Sequence, residues 1–142
     1  ILDLAAEYDA VVVTGHATPG EIEAIAAACA DRGVDCLVNH PCFRVVDVSL
    51  DRQERLAEMG AVMEYCAYAV EGTDGHTVER VAEAIDRVGP DQAVLATDYG
   101  QAENPPVPGL REFAESVLDA GLDREAVRCC LVDTPTELLD LE

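Results

Sequence analysis

The chain lacks lysine and tryptophan altogether, and only two phenylalanines and four tyrosines occur in its 142 residues. All nine basic residues are arginine, set against 29 aspartates and glutamates, for a formal net charge of -20. A surface so poor in cations repels nucleic-acid phosphates, and the arginines gather into no basic patch, which excludes a nucleic-acid binder. No apolar run approaches the roughly 18 residues that a membrane span requires, so no membrane insertion is expected. The six cysteines (Cys29, Cys36, Cys42, Cys66, Cys129, Cys130) form no CxxC pair. Without knuckle spacing or a signal-like segment, they are expected to be reduced core residues of a cytoplasmic protein. Neither a GxGxxG nor a Walker pattern follows the first strand, which leaves a nucleotide-binding domain with little support.

What is present begins with the acidity itself. The carboxylates are spread over helix faces (Glu21, Glu23, Asp31; Glu79, Glu83, Asp86; Glu112, Glu115, Asp119) and do not form one tail. At molar salt the Debye length is about 3 Å, which screens such self-repulsion. The pattern resembles the lysine-free surfaces of proteins from salt-accumulating microbes such as haloarchaea; an ordinary acidic protein from an organism with a GC-rich genome is the alternative. With 49% hydrophobic residues, residues 1–142 suit a single domain able to bury roughly two thirds of its unfolded surface.

Strand-like and helix-like segments alternate along the chain, the pattern of βα units on a parallel sheet. Strands are predicted at Ala10–Thr14, Cys36–Asn39, Ala61–Tyr65 and Ala93–Thr97. Thr18-Pro19-Gly20-Glu21 combines an N-cap, a proline at the first helical position and a glutamate three residues after the cap, predicting a helix that Gly33 ends. Further helices are predicted over 49–58, 77–88 and 110–120, the third unit having a Gly- and Asp-rich loop before its helix. Two short helices should finish the chain, opened by Asp123 and by Thr134-Pro135-Thr136-Glu137. Ile1, Leu2, Leu4 and Ala5 look like the end of a helix that a strand should precede, and a complete (β/α)8 barrel needs about 200 residues. The expected fold is therefore α/β: four consecutive βα units of a TIM-type barrel, its second half, plus C-terminal helices.

Three strands run into residues that can bind a metal: VVVTGH ends at His16, CLVNHP contains His40 and AVLATD ends at Asp98. In a parallel sheet all carboxyl ends emerge on one rim, so these side chains converge there. Two imidazoles and a carboxylate suit a divalent metal that activates water. Each residue also has a local alternative: His16 in a turn before a helix, His40 packed in the core, and Asp98 accepting backbone N–H bonds in its own turn.

Taken in order, VVVTGH, VNHP, MEY, ATDYGQ with NPP, and TPTELLDL resemble the last four βα units of metal-dependent hydrolases of the amidohydrolase superfamily. More narrowly, they are similar to an uncharacterised amidohydrolase-like family in which strands end in Gly-His, His-Pro and Thr-Asp. The resemblance implies a divalent metal, zinc by expectation, held by His16, His40 and Asp98, with Asp98 also the catalytic general base. It implies hydrolysis of a C–N or C–O bond in a small-molecule substrate, with metal-assisted decarboxylation as an alternative within the class. Glu64, Tyr65 and Gln101 are candidate substrate contacts, Glu64 equally a candidate for a buried pair with an arginine, with Cys42 as pocket wall, and His76 is expected on an exposed loop. The histidine pair that the superfamily takes from its first strand is absent. A non-catalytic half-barrel is accordingly the competing reading, one that needs a missing N-terminal half or a second copy in a homodimer to close it.

Overall fold

The computed structural model describes residues 1–70 and 76–141. A short helix α1 (Leu2–Glu7) leads into β1 (Val12–Val13), and the alternation continues with α2 (Pro19–Ala30), β2 (Cys36–Asn39), α3 (Leu50–Glu58) and β3 (Val62–Cys66). Then come α4 (Ala67–Val70), α5 (Val78–Val88), β4 (Ala93–Ala96) and α6 (Pro106–Asp119). The four strands form one parallel sheet in sequence order, β1-β2-β3-β4. This is the expected chain of βα units.

Local chemistry explains the boundaries. The Thr18–Glu21 capping box is formed, with Pro19 at the first helical position of α2, so two otherwise orphaned donors are satisfied reciprocally. Thr77 caps α5 by accepting from the Arg80 N–H at 3.3 Å. Gly33 and Gly60, after α2 and α3, have φ of 62° and 89°, a region that a side chain disfavours.

Several elements differ from expectation: β1 is confined to Val12–Val13, inside the predicted Ala10–Thr14. Helix α6 starts at Pro106, four residues before the predicted position, because prolines in a first helical turn lack only N–H groups that have no intrahelical acceptor there. Helix α4, directly after β3, is additional. At the C-terminus, α7 (Arg124–Arg128) passes through a π-helical turn at Cys129–Asp133 into α8 (Thr134–Leu138) without a break. Thr134 is therefore helical, not a cap, and its hydroxyl donates to the Pro90 carbonyl at 2.8 Å. The predicted Gly- and Asp-rich loop falls on residues 71–75, outside the described residues.

Strand side chains alternate between two very different environments. Cys36 and Val38, Met63 and Tyr65, and Ala93 and Leu95 are buried in a core with Ile22, Leu56, Val81, Ile85, Phe113 and Val117. Leu37 and Asn39, Val62 and Glu64, and Val94 and Ala96 lie on the other face and stay partly exposed, and their neighbour Val13 is 51% exposed. Helices thus cover one face of the sheet, and the other is the open interior of a partial barrel. Arginines clamp the helix layer: Arg52 and Arg55 reach Glu23 between α3 and α2, and Arg87 bridges Asp51 and Glu54 between α5 and α3. Five of the six cysteines are buried and all are free thiols. Among the described residues, no helix is long and apolar enough to cross a membrane.

Candidate functional site

Parallel register brings the two histidines together. Val13 pairs with Leu37, and three residues further along both chains stand His16 and His40. Their rings stack with centroids 4.7 Å apart and planes 27° from parallel. His16 is exposed, whereas His40 is only 6% exposed. Phe43 closes over the pair, 5.4 Å from His40 in an edge-to-face arrangement and 6.3 Å from His16. Tyr68 extends the row, 6.3 Å from Phe43.

Backbone conformation marks the same rim. Gly15, His40 and Asp98 take φ of 58°, 31° and 56°, so three of the four strands leave the sheet through a left-handed residue. For residues with a side chain that conformation costs about 1–2 kcal/mol, and such strain persists where the surroundings impose it.

Burial and the neighbouring His16 hold the His40 imidazole below its ordinary pKa, and Asp98 and Glu64 act in the opposite sense. His40 is thus neutral at neutral pH, the form that binds a metal. Its Nδ1 is buried without a hydrogen-bond partner; among the described residues only Gln92 Oε1 shares that condition for a side-chain polar atom. An orphaned buried nitrogen beside a second imidazole fits a divalent metal in kind. In number the set falls short: among the described residues no three His, Cys, Asp or Glu side chains lie within reach of one ion. Asp98 is exposed at the end of β4, close enough to act on His40 electrostatically.

The other candidates separate. Glu64 faces the open interior, where its carboxylate accepts from the Asn39 side-chain amide. Tyr65 does not line the site: as the next residue on β3 it points the opposite way. It is fully buried, and its hydroxyl donates to Gln53 Oε1 at 2.8 Å. Cys42 is likewise core, near Gln53 Nε2 at 3.8 Å. Gln101 lies exposed on the loop after β4, accepting from Asn104 at 3.4 Å. His76, expected on an exposed loop, is buried, and its Nδ1–H donates to the Cys42 carbonyl. That bond ties α5 to the loop carrying His40. Sequence reasoning missed Asn39, Phe43 and Tyr68, although Phe43 stands three residues after His40, the spacing of one tight turn.

Fold and rim together define a class, a partial (β/α)8-type barrel with imidazole and carboxylate groups at its strand ends. Two solved structures share the fold. One is a Pseudomonas putida protein provisionally named 2-pyrone-4,6-dicarboxylic acid hydrolase, with TM-score 0.70 and 16% identity over 100% of this chain and 56% of that one. The other is Agrobacterium tumefaciens ATU3138 in its apo form, with the same TM-score and identity and 54% of its chain covered. The chain therefore spans a little over half the length of these proteins, and at this identity what they share is the fold. The profile of a family of unknown function (DUF6282) matches residues 1–64, the segment that holds both rim histidines and ends at Glu64. No curated protein matches the chain.

Proposed function

We propose that this rim is the metal-binding part of a metal-dependent hydrolase of the amidohydrolase type, acting on a C–N or C–O bond of a small polar substrate. The observation that carries the reading is the stacked His16–His40 pair, in which a neutral, buried imidazole keeps Nδ1 without a partner. The provisional name of the P. putida structure points to the same class of reaction.

His16 and His40 would hold the metal, zinc by its preference for imidazole, with Asp98 approaching from β4 and the missing donors coming from the remaining strands of a complete barrel. When bound, such an ion supplies a water that ionises near neutral pH. Asp98, exposed on its left-handed turn, takes the proton from the attacking water at a carboxylate oxygen and delivers it to the leaving group. Glu64, fixed by Asn39, places a second carboxylate on the inner face, where it orients a polar substrate. Phe43 packs edge-to-face on the His40 ring and helps to hold it in place.

The absence, among the described residues, of three donors around one point favours a second reading, a half-barrel inactive by itself. Equilibrium dialysis of the chain against zinc, with His40→Ala and Asp98→Asn variants, tests the metal site. Zinc retained by the wild type, lost in His40→Ala and weakened in Asp98→Asn supports the metal site. Retention that ignores His40→Ala contradicts it.

A further inference from the structure

We infer that Asn39 is the positioning residue of this rim, the single side chain that sets His16 against His40 and fixes Glu64 beside them. The inference deepens the metal-site reading and rests on it for the word site. The geometry stands without any metal.

Three bonds converge on this residue. The Gly15 N–H donates to Asn39 Oδ1 at 2.9 Å, Asn39 Nδ2 donates to Glu64 Oε2, and the Asn39 N–H donates to Thr14 Oγ1 at 3.3 Å. The backbone fixes the orientation of the amide: the Gly15 N–H can only donate, so the amide oxygen faces Gly15 and the nitrogen is left to donate to Glu64. Asn39 pairs with Glu64 across the β2–β3 ladder, and it immediately precedes His40. Gly15 immediately precedes His16 and occupies the left-handed conformation from which that ring is aimed. One amide thus joins the ends of three adjacent strands and is one peptide unit from each imidazole.

Few residues satisfy both neighbours. A serine is too short to reach them together, a leucine leaves the Gly15 N–H and the Glu64 carboxylate unpaired, and an aspartate sets a second carboxylate against the first. This last clash makes the role testable by exchange. In the double variant Asn39→Asp/Glu64→Gln the new carboxylate at 39 accepts from Gly15 and from the new amide at 64, restoring both bonds with the polarity of the pair reversed.

The measurement is the ring-current displacement of the His16 and His40 Hε1 resonances in metal-free protein, taken beside the thermal midpoint and zinc affinity of each variant. Asn39→Asp should lose the displacement and weaken zinc binding roughly 10- to 100-fold, the range for groups that orient metal ligands. Glu64→Gln alone should keep the rings paired, because its amide oxygen still accepts from Asn39. The double variant should recover the displacement. Should Asn39→Asp fail to fold, recovery in the double variant still supports the role and continued loss overturns it. Unchanged ring signals in a folded Asn39→Asp protein overturn it as well. If no form binds zinc, the metal reading fails, and the ring signals still decide the role of Asn39.

Discussion

Replacing Tyr65 by phenylalanine tests whether this residue belongs to the core or to the site. Its hydroxyl donates to Gln53 Oε1 at 2.8 Å, and both side chains are fully buried. Gln53 uses its amide nitrogen elsewhere, on the Val48 carbonyl at 2.8 Å. Loss of the hydroxyl leaves the amide oxygen of Gln53 buried without that donor, which costs about 1–3 kcal/mol. For a chain near 150 residues, each kcal/mol lowers the midpoint by about 2–4 °C, so Tyr65→Phe should melt about 2–12 °C below wild type. Gln53→Leu should cost a similar amount. The double variant removes donor and acceptor together, and Val48 still receives Arg80 Nη2 at 3.3 Å. The two losses should therefore fall short of additivity by about 0.5–3 kcal/mol. Thermal and urea unfolding of the four proteins in molar KCl gives the cycle, and zinc affinity should be the same in all. A Tyr65→Phe protein as stable as wild type but impaired in zinc binding would refute the placement of Tyr65 behind the sheet.

Other predictions follow from the same geometry. His40 titrates below its ordinary 6.5 when folded; between the two values the unfolded chain binds more protons, so stability is full above about 6.5 and falls as pH drops through that window. Urea midpoints of metal-free protein should show this slope and His40→Leu should flatten it; equal slopes would contradict the burial of a neutral ring. A Cβ at Gly109 would collide with the Tyr99 ring, so Gly109→Ala should destabilise by about 1–3 kcal/mol, although alanine favours an isolated helix by about 1 kcal/mol. A raised midpoint would show that α6 does not press on Tyr99. With a net charge of -20, the melting temperature should rise from about 0.1 M to 1 M KCl as the Debye length shrinks from about 10 to 3 Å. Screening weakens the arginine ion pairs too, but exposed pairs contribute little, and a fall with salt would reverse the account.

The legible features were those written in local chemistry and period. The capping box at Thr18 and Glu21 and the stop at Gly33 each set an end of one helix by themselves. The meeting of His16 and His40 followed from topology, since parallel strands present their carboxyl ends on one rim. What stayed hidden depended on bonds between distant segments. Nothing near His76 in sequence announces a bond to the Cys42 carbonyl 34 residues away, and Asn39 gains its meaning from Gly15 and Glu64 on separate strands. Tyr65 was misassigned against a rule the sequence does carry, because alternation along a strand allows Glu64 or Tyr65 on the inner face but not both. The turn through Cys129–Asp133 was obscured by Thr134-Pro135-Thr136-Glu137, which has the signature of a helix start yet continues a helix already begun.

The chain holds three histidines, and they permit the most direct test of the metal-site claim. Zinc titrated into metal-free protein, followed through the imidazole proton and nitrogen resonances, should shift His16 and His40 together at near-stoichiometric metal. His76, occupied with the Cys42 carbonyl, should not move. Shifts in that pair alone are the predicted result. Zinc that moves none of the three, or His76 as much as the other two, would contradict a metal site at this rim.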